Sequence, residues 1–187
     1  DKICEEVKKI IPGENLGAVI NKASQERIEK FIGEAERDGA KILVDGRNTK
    51  VKGKEKGTYV GPTVIDFVTP QMSVATEEIF GPVISIMRTK TVDEALAIEN
   101  ANPYGNAASV FTQNGAMARY IIDKASAGMI GVNVGVPVPR EPFSFGGWNE
   151  SKFGVGDITG KSSIEFWTKL KKSTVKWNAE AGVNWMS

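Results

Sequence analysis

Glu77 and Glu78 are acceptor groups that could do chemistry, set in Glu77-Glu78-Ile79-Phe80-Gly81-Pro82-Val83 beside an aromatic ring and a Gly-Pro break. A carboxylate is a strong hydrogen-bond acceptor, and a turn fixed by Gly81-Pro82 can present it at a sheet edge. Taken in isolation, the pair reads as an exposed acidic turn in preference to a binding site. Other catalytic groups are scarce. Histidine, the usual general base beside a Ser or Cys nucleophile and the commonest transition-metal ligand, is absent from the sequence. Cys4 is the single cysteine, so neither a dithiol couple nor a cysteine zinc site can be built, and no metal site is expected. Cys4 lies among Glu5 and Glu6 on a helix, where neighbouring carboxylates disfavour the thiolate, and it reads as inert. Gly154-Val155-Gly156-Asp157-Ile158-Thr159-Gly160 superficially follows a dinucleotide fingerprint. Its spacing is wrong by one residue and no buried strand delivers it to a helix, so its glycines read as loop geometry.

Composition narrows the classes further. A chain of 187 residues with 41% hydrophobic content can bury one sizeable core, and length suggests one domain. Lys+Arg 24 against Asp+Glu 23 leaves a net charge of +1. No global field is directed at nucleic acid or an anionic membrane, and neither is expected as a partner. No apolar run approaches the roughly 20 residues that cross a bilayer. Ile84-Ser85-Ile86-Met87 is soon stopped by Arg88 and Lys90. The opening residues carry no basic, apolar leader, and a lone thiol suits a reducing compartment, so a soluble protein is expected. Trp148, Trp167, Trp177 and Trp185 have no dense basic groove around them and read as packing or subunit-contact residues.

The elements that position these residues follow from apolar periodicity. Ile3, Val7, Ile10 and Ile11 predict a first helix running to Pro12-Gly13. Ile28, Phe31, Ile32 and Ala35 share one face of a second, with Ser24 as its expected N-cap and Gly39 as its stop. Ile42-Leu43-Val44 is a short strand, followed by a surface loop from Lys50 to Lys56. Gly61-Pro62 separates Thr58-Tyr59-Val60 from Thr63-Val64-Ile65, which suits an interrupted or edge strand better than a central one. Val83 to Met87 reads as a buried strand. Thr91-Val92-Asp93-Glu94 is a capping box opening a helix that buries Val92, Ala95 and Ile98 and stops near Asn102-Pro103. Ala107 to Thr112 forms the next strand, Met117, Ile121 and Ile122 mark a helix, and Met129 to Asn133 forms a further strand. The alternation predicts an α/β class with two consecutive right-handed βαβ crossovers. From Gly135 to Gly160 a long loop rich in Gly, Pro and aromatic residues is the best site candidate by position. Ser162 to Trp167 is expected to form a helical turn or two, and Leu170 to Trp177, interspersed with lysines, an exposed strand.

The heptapeptide closely resembles the Glu-Glu-Ile-Phe-Gly-Pro-Val signature of aldehyde dehydrogenases, and the resemblance continues through most of the chain in the family's order. Gly17-Ala18-Val19-Ile20 resembles the family's Gly-Pro-Leu/Val-Ile segment. Tyr104-Gly105-Asn106-Ala107-Ala108-Ser109-Val110-Phe111-Thr112 resembles its Gly-Leu-Ala-Ala-Ala-Val-Phe-Thr stretch. Phe145-Gly146-Gly147-Trp148-Asn149-Glu150-Ser151 is similar to its Pro-Phe-Gly-Gly-x-Lys-x-Ser loop, with Ser144 and Asn149 as departures. Within the family, Gly131 to Pro139 and the Phe143-Ser144-Phe145 tract most resemble methylmalonate-semialdehyde dehydrogenases, a branch that passes its acyl group to coenzyme A.

That resemblance implies a three-layer α/β fold with a parallel or mixed sheet and flanking helices. Residues 1–167 would be part of a catalytic domain and 168–187 a C-terminal strand that joins subunits, making the intact enzyme a dimer or tetramer. It implies a cysteine that attacks a small aldehyde, hydride transfer to NAD, and a thioester resolved by coenzyme A or water. The family's nucleophile segment, general-base glutamate and main cofactor domain have no counterpart in these residues, so the chain alone is expected to oxidise no aldehyde. By motif, Glu78 resembles the carboxylate that hydrogen-bonds the nicotinamide ribose, and Phe80 the aromatic packed near it. Phe145 resembles an aromatic of the aldehyde tunnel, with Phe143 and Val136 as weaker candidates for the same wall. The implied compartment is the bacterial cytoplasm, or the mitochondrial matrix in a eukaryote. Two alternatives stand beside this reading: a hydrolytic aldehyde dehydrogenase portion, and a non-catalytic α/β module for assembly or ligand binding.

Overall fold

Helices and strands alternate along the chain much as the apolar pattern predicts. The structure, a computed structural model, describes residues 2–175 and Trp177. Its residues gather into two units, Asp1–Ile98 and Glu99–Ser187, a boundary that no composition shift announces.

In the first unit, α1 (Lys2–Val7) ends earlier than Ile10 and Ile11 suggest. The Asn15 side chain accepts from Ile11 N at 2.6 Å and donates to Lys9 O at 2.9 Å, taking over backbone groups that a continuing helix would need. Ile10 and Ile11 are therefore exposed. Next, α2 (Lys22–Arg37) is capped by Asn21, not Ser24, because extended Asn21 places its Oδ1 2.8 Å from Ser24 N. Asp38 closes it and Gly39, at φ +99, takes the chain out, as expected of a glycine stop.

The predicted stripe of α2 is the centre of the core. Ile28, Ile32 and Ala35 are fully buried and, with Phe31, pack with Val60, Ile65, Val68, Met72 and Val74. Three strands lie in the order β1 (Lys41–Val44), β2 (Thr63–Asp66), β3 (Val83–Ser85), with β1 antiparallel and β3 parallel to β2. Thr63–Asp66 is thus the central strand, which corrects the edge assignment. Pro62 lies just outside the ladder, so its missing N–H costs no pairing, and all four strand residues are buried. The short α3 (Ser73–Thr76) lies in the connection from β2 to β3. Ile84 on β3 is 49% exposed, so this strand is less buried than its apolar run suggests.

Asp66 ends β2 nearly buried and receives Arg88 Nε at 2.9 Å and Nη2 at 2.6 Å. Those hydrogen bonds hold its carboxyl below the usual carboxylate range. The capping box at α4 (Val92–Asn100) forms with one shift: Thr91 Oγ1 accepts from Glu94 N at 3.1 Å, while the Glu94 carboxylate accepts from Lys90 N at 2.7 Å. Leu96 is the buried residue of α4. Ala95 is exposed and Val92 and Ile98 are half-buried, so the buried face is turned from the one expected.

The second unit carries β4 (Tyr104–Gly105), β5 (Ala107–Val110), α5 (Gly115–Lys124), β6 (Met129–Val132), β7 (Trp148–Asn149) and α6 (Ser163–Trp167). Asn114 Oδ1 caps α5 through Ala116 N and Met117 N at 2.9 and 3.1 Å. β5 and β6 are parallel across α5, so one of the two expected crossovers forms. Within the first unit β3 pairs with β2. The long loop is not wholly irregular, since β7 pairs antiparallel with β4. The fold class is α/β, built from small parallel and antiparallel sheets. Residues 168–175 contain no helix or strand, and the rest of the expected C-terminal strand and tail, Lys176 and residues 178–187, lies outside the described residues.

Candidate functional site

The heptapeptide forms a turn braced from below by α2. Glu77 leaves α3 in extended conformation, its N–H donating to Ser73 O at 2.9 Å. Arg27 then donates from Nη1 to Glu78 O at 3.1 Å and from Nη2 to Ile79 O at 2.6 Å, with its guanidinium 5.7 Å from the Phe31 ring centroid. Phe80 follows at φ +50, a backbone conformation that costs a bulky residue about 1–2 kcal/mol. Gly81 sits where a Cβ would come 2.7 Å from Ile28 Cδ1, and Pro82 O accepts from Thr63 N at 2.8 Å, starting the β2–β3 ladder.

This construction leaves two groups facing water. Phe80 is 75% exposed, and the exposed Glu78 carboxylate has no hydrogen bond or ion pair among the described residues. An unengaged carboxylate beside an uncovered ring suits a vicinal diol carried on a flat heterocycle, because the carboxylate accepts and the ring supplies an apolar face. A ribose bearing nicotinamide has that chemistry, so the residues fit the group the motif implies.

The second unit holds a separate cleft of about 190 Å³, lined by Phe145, Phe153, Phe166 and Ile158, with Lys152 and Asp157 at its polar part. Lys152 Nζ and Asp157 Oδ1 are 3.0 Å apart, so the cation in the cleft is already paired. Phe145 is strapped in place by its neighbours. Its N–H donates to Thr159 Oγ1 at 2.9 Å, and Ser144 Oγ lies 2.7 Å from Ser162 Oγ, which also accepts from Asp157 N at 3.2 Å. The glycines at 154, 156 and 160 all have positive φ, which matches their expected role in loop geometry.

Of the residues singled out by motif, Glu78 and Phe80 share one turn, and Phe145 lines the cleft. Phe143 and Val136, in the same long loop as Phe145, are 71% and 75% exposed and do not line it. Cys4 is half-buried on α1. In the second unit Ser162 Oγ donates to Asp157 Oδ2 at 3.4 Å, and the Glu77–Val83 turn contains no hydroxyl or thiol. Arg27 and Thr159 were not legible as site residues, because each meets a backbone atom of its partner, and Ser162 was not, because the Ser144 hydroxyl it meets lies 18 positions away, beyond any local spacing signal.

The profile of the aldehyde dehydrogenase family matches residues 2–173. The methylmalonate-semialdehyde/malonate-semialdehyde dehydrogenases [acylating] of Rattus norvegicus and Homo sapiens, both mitochondrial, are 47% identical to it over 169 residues, which cover 90% of this chain and 32% of theirs. The crystal structure of methylmalonate-semialdehyde dehydrogenase from Oceanimonas doudoroffii superposes with a TM-score of 0.87 at 40% identity, covering 95% of this chain and 38% of that one. A protein from Sinorhizobium meliloti assigned to the same activity, and crystallised with NAD, gives 0.88 at 38% identity over 96% of this chain and 38% of its own. The chain thus spans about a third of the length of the curated relatives it matches.

Proposed function

This chain belongs to the aldehyde dehydrogenase family, and on that footing we propose that it is part of an NAD-dependent methylmalonate- or malonate-semialdehyde dehydrogenase that acylates coenzyme A. The observation that carries the reading is the braced Glu77–Val83 turn, with Glu78 unengaged and Phe80 uncovered, in a fold shared with an NAD-complexed relative of the same branch. Glu78 would accept from the nicotinamide ribose hydroxyls and Phe80 would pack beside them. NAD, when bound, supplies the hydride acceptor. Phe145, held by Thr159 and the Ser144–Ser162 contact, would line the aldehyde path and exclude water, with Phe143 and Val136 as outlying candidates for the same wall.

The covalent step is assigned to a cysteine outside these residues, since Cys4 is the only thiol here and lies on α1 among Glu5 and Glu6. On this reading residues 1–167 form part of the catalytic domain, and 168–187 supply the strand that joins subunits of a dimer or tetramer. The substrate is a small aldehyde, with neither nucleic acid nor membrane as partner. The compartment is the bacterial cytoplasm or, as for the mitochondrial relatives, the matrix of a eukaryote.

The full-length polypeptide carrying this segment, given NAD, coenzyme A and malonate semialdehyde, should form NADH and an acyl-coenzyme A. NADH formation indifferent to coenzyme A, with free acid as product, would support a hydrolytic enzyme instead. A folded protein that forms no NADH from any aldehyde would leave the non-catalytic module.

A further inference from the structure

We infer that Arg27 is a positioning residue for the cofactor contact: by clamping the Glu78 and Ile79 carbonyls it sets the turn that presents the Glu78 carboxylate and the Phe80 ring. The inference rests on the reading of Glu78 as a ribose acceptor. In an extended strand successive carbonyls point in opposite directions. Here the carbonyls of Glu78 and Ile79 converge on one guanidinium, at 3.1 and 2.6 Å, so the approach to β3 is bent out of strand geometry. Phe80 completes the bend at φ +50, and Gly81 closes onto Ile28 with no room for a side chain. A planar fork can serve two neighbouring acceptors at once, which the point charge of a lysine does less well. The fork is itself held on α2, where Arg27 lies against Phe31 one residue before fully buried Ile28. A group on the core helix therefore fixes the backbone of a turn whose side chains are left free for a ligand.

The test compares Arg27→Met, which keeps an unbranched stem against Phe31 and deletes the fork, with Glu78→Gln and the double variant in the full-length polypeptide. NAD affinity is measured by calorimetry, thermal midpoint by unfolding, and amide hydrogen exchange at Ile79, Phe80 and Gly81 against β5 and β6. Arg27→Met should weaken NAD binding by about tenfold, the scale of a lost charge-assisted hydrogen bond. It should speed exchange at Ile79 to Gly81 while leaving β5 and β6 protected, and add little to the loss caused by Glu78→Gln. If Glu78→Gln weakens NAD binding and Arg27→Met does not, the positioning role is overturned and the cofactor reading stands. If Glu78→Gln leaves NAD affinity unchanged, the cofactor reading itself falls, and the inference with it. Should Arg27→Met fail to fold, Arg27→Lys, which keeps charge and stem, carries the same comparison: an intermediate loss of affinity supports the role, and unaltered affinity with faster exchange refutes it.

Discussion

A Cβ at Gly81 would lie 2.7 Å from Cδ1 of Ile28, so the candidate cofactor turn and the core helix meet with no space between them. The contact ties a surface motif to a fully buried side chain. Gly81→Ala should therefore destabilise the protein by about 1–3 kcal/mol, the cost of overpacking a filled site. Ile28→Val removes the nearest methyl group, and the double variant should recover part of that loss. Urea unfolding of the two single variants and the double variant measures it, and strict additivity would contradict the contact.

Asp66 and Arg88 predict an acid-sensitive fold. Because the Arg88 hydrogen bonds lower the Asp66 carboxyl, this residue contributes stability that is fully present above the ordinary carboxylate value of about 4. That contribution is lost as pH falls through the lowered value in the folded protein. Asp45, lowered by its hydrogen bond from Arg47, acts in the same direction. The unfolding midpoint should drop steeply below about pH 4 in the parent protein and less steeply in Asp66→Asn. Identical pH profiles would dismiss the pair as a contributor.

Asn133 and Thr112 exchange hydrogen bonds at 2.9 and 3.0 Å just beyond the parallel strands β5 and β6, with Asn133 at φ +56. Asn133→Ala loses both the bonds and an acceptable residue for that backbone, and should cost about 1–3 kcal/mol. Asn133→Gly restores the conformation without the bonds and should cost less. Thermal unfolding of the two variants separates the contributions.

Cys4→Ser in the full-length polypeptide should leave aldehyde-dependent NADH formation unchanged, because Cys4 is half-buried on α1 next to Glu5 and Glu6 in a sequence without histidine. The 187-residue chain by itself should form no NADH. Loss of activity in Cys4→Ser with the fold retained would reverse the assignment of this thiol.

Local pattern was enough to find α2, α5, β5, β6 and the heptapeptide, because helical and strand periodicity states directly which face is buried. It was not enough where two nearby residues could serve equally. Asn21 and Ser24 are both good caps, and only the extended backbone at Asn21 selects it. Nor could it tell that Pro62 stops one residue short of the ladder, which makes Thr63–Asp66 the central strand. The same limit applies to α4, where Leu96 is buried and Ala95 is not.

By itself the sequence determined the family and the alternation of elements, and it marked Glu78, Phe80 and Phe145 as residues of interest. These are properties of residue type at short spacing, carried by side-chain chemistry and period. Only the tertiary structure decided what holds those residues in place. Arg27 and Ile79 are separated by 52 positions, and Phe145 and Thr159 by 14, yet each pair is joined by a hydrogen bond to a backbone atom. Every residue carries such atoms, so the sequence cannot single out the pair. Packing of α2 under the turn, and closure of the long loop on itself, select them.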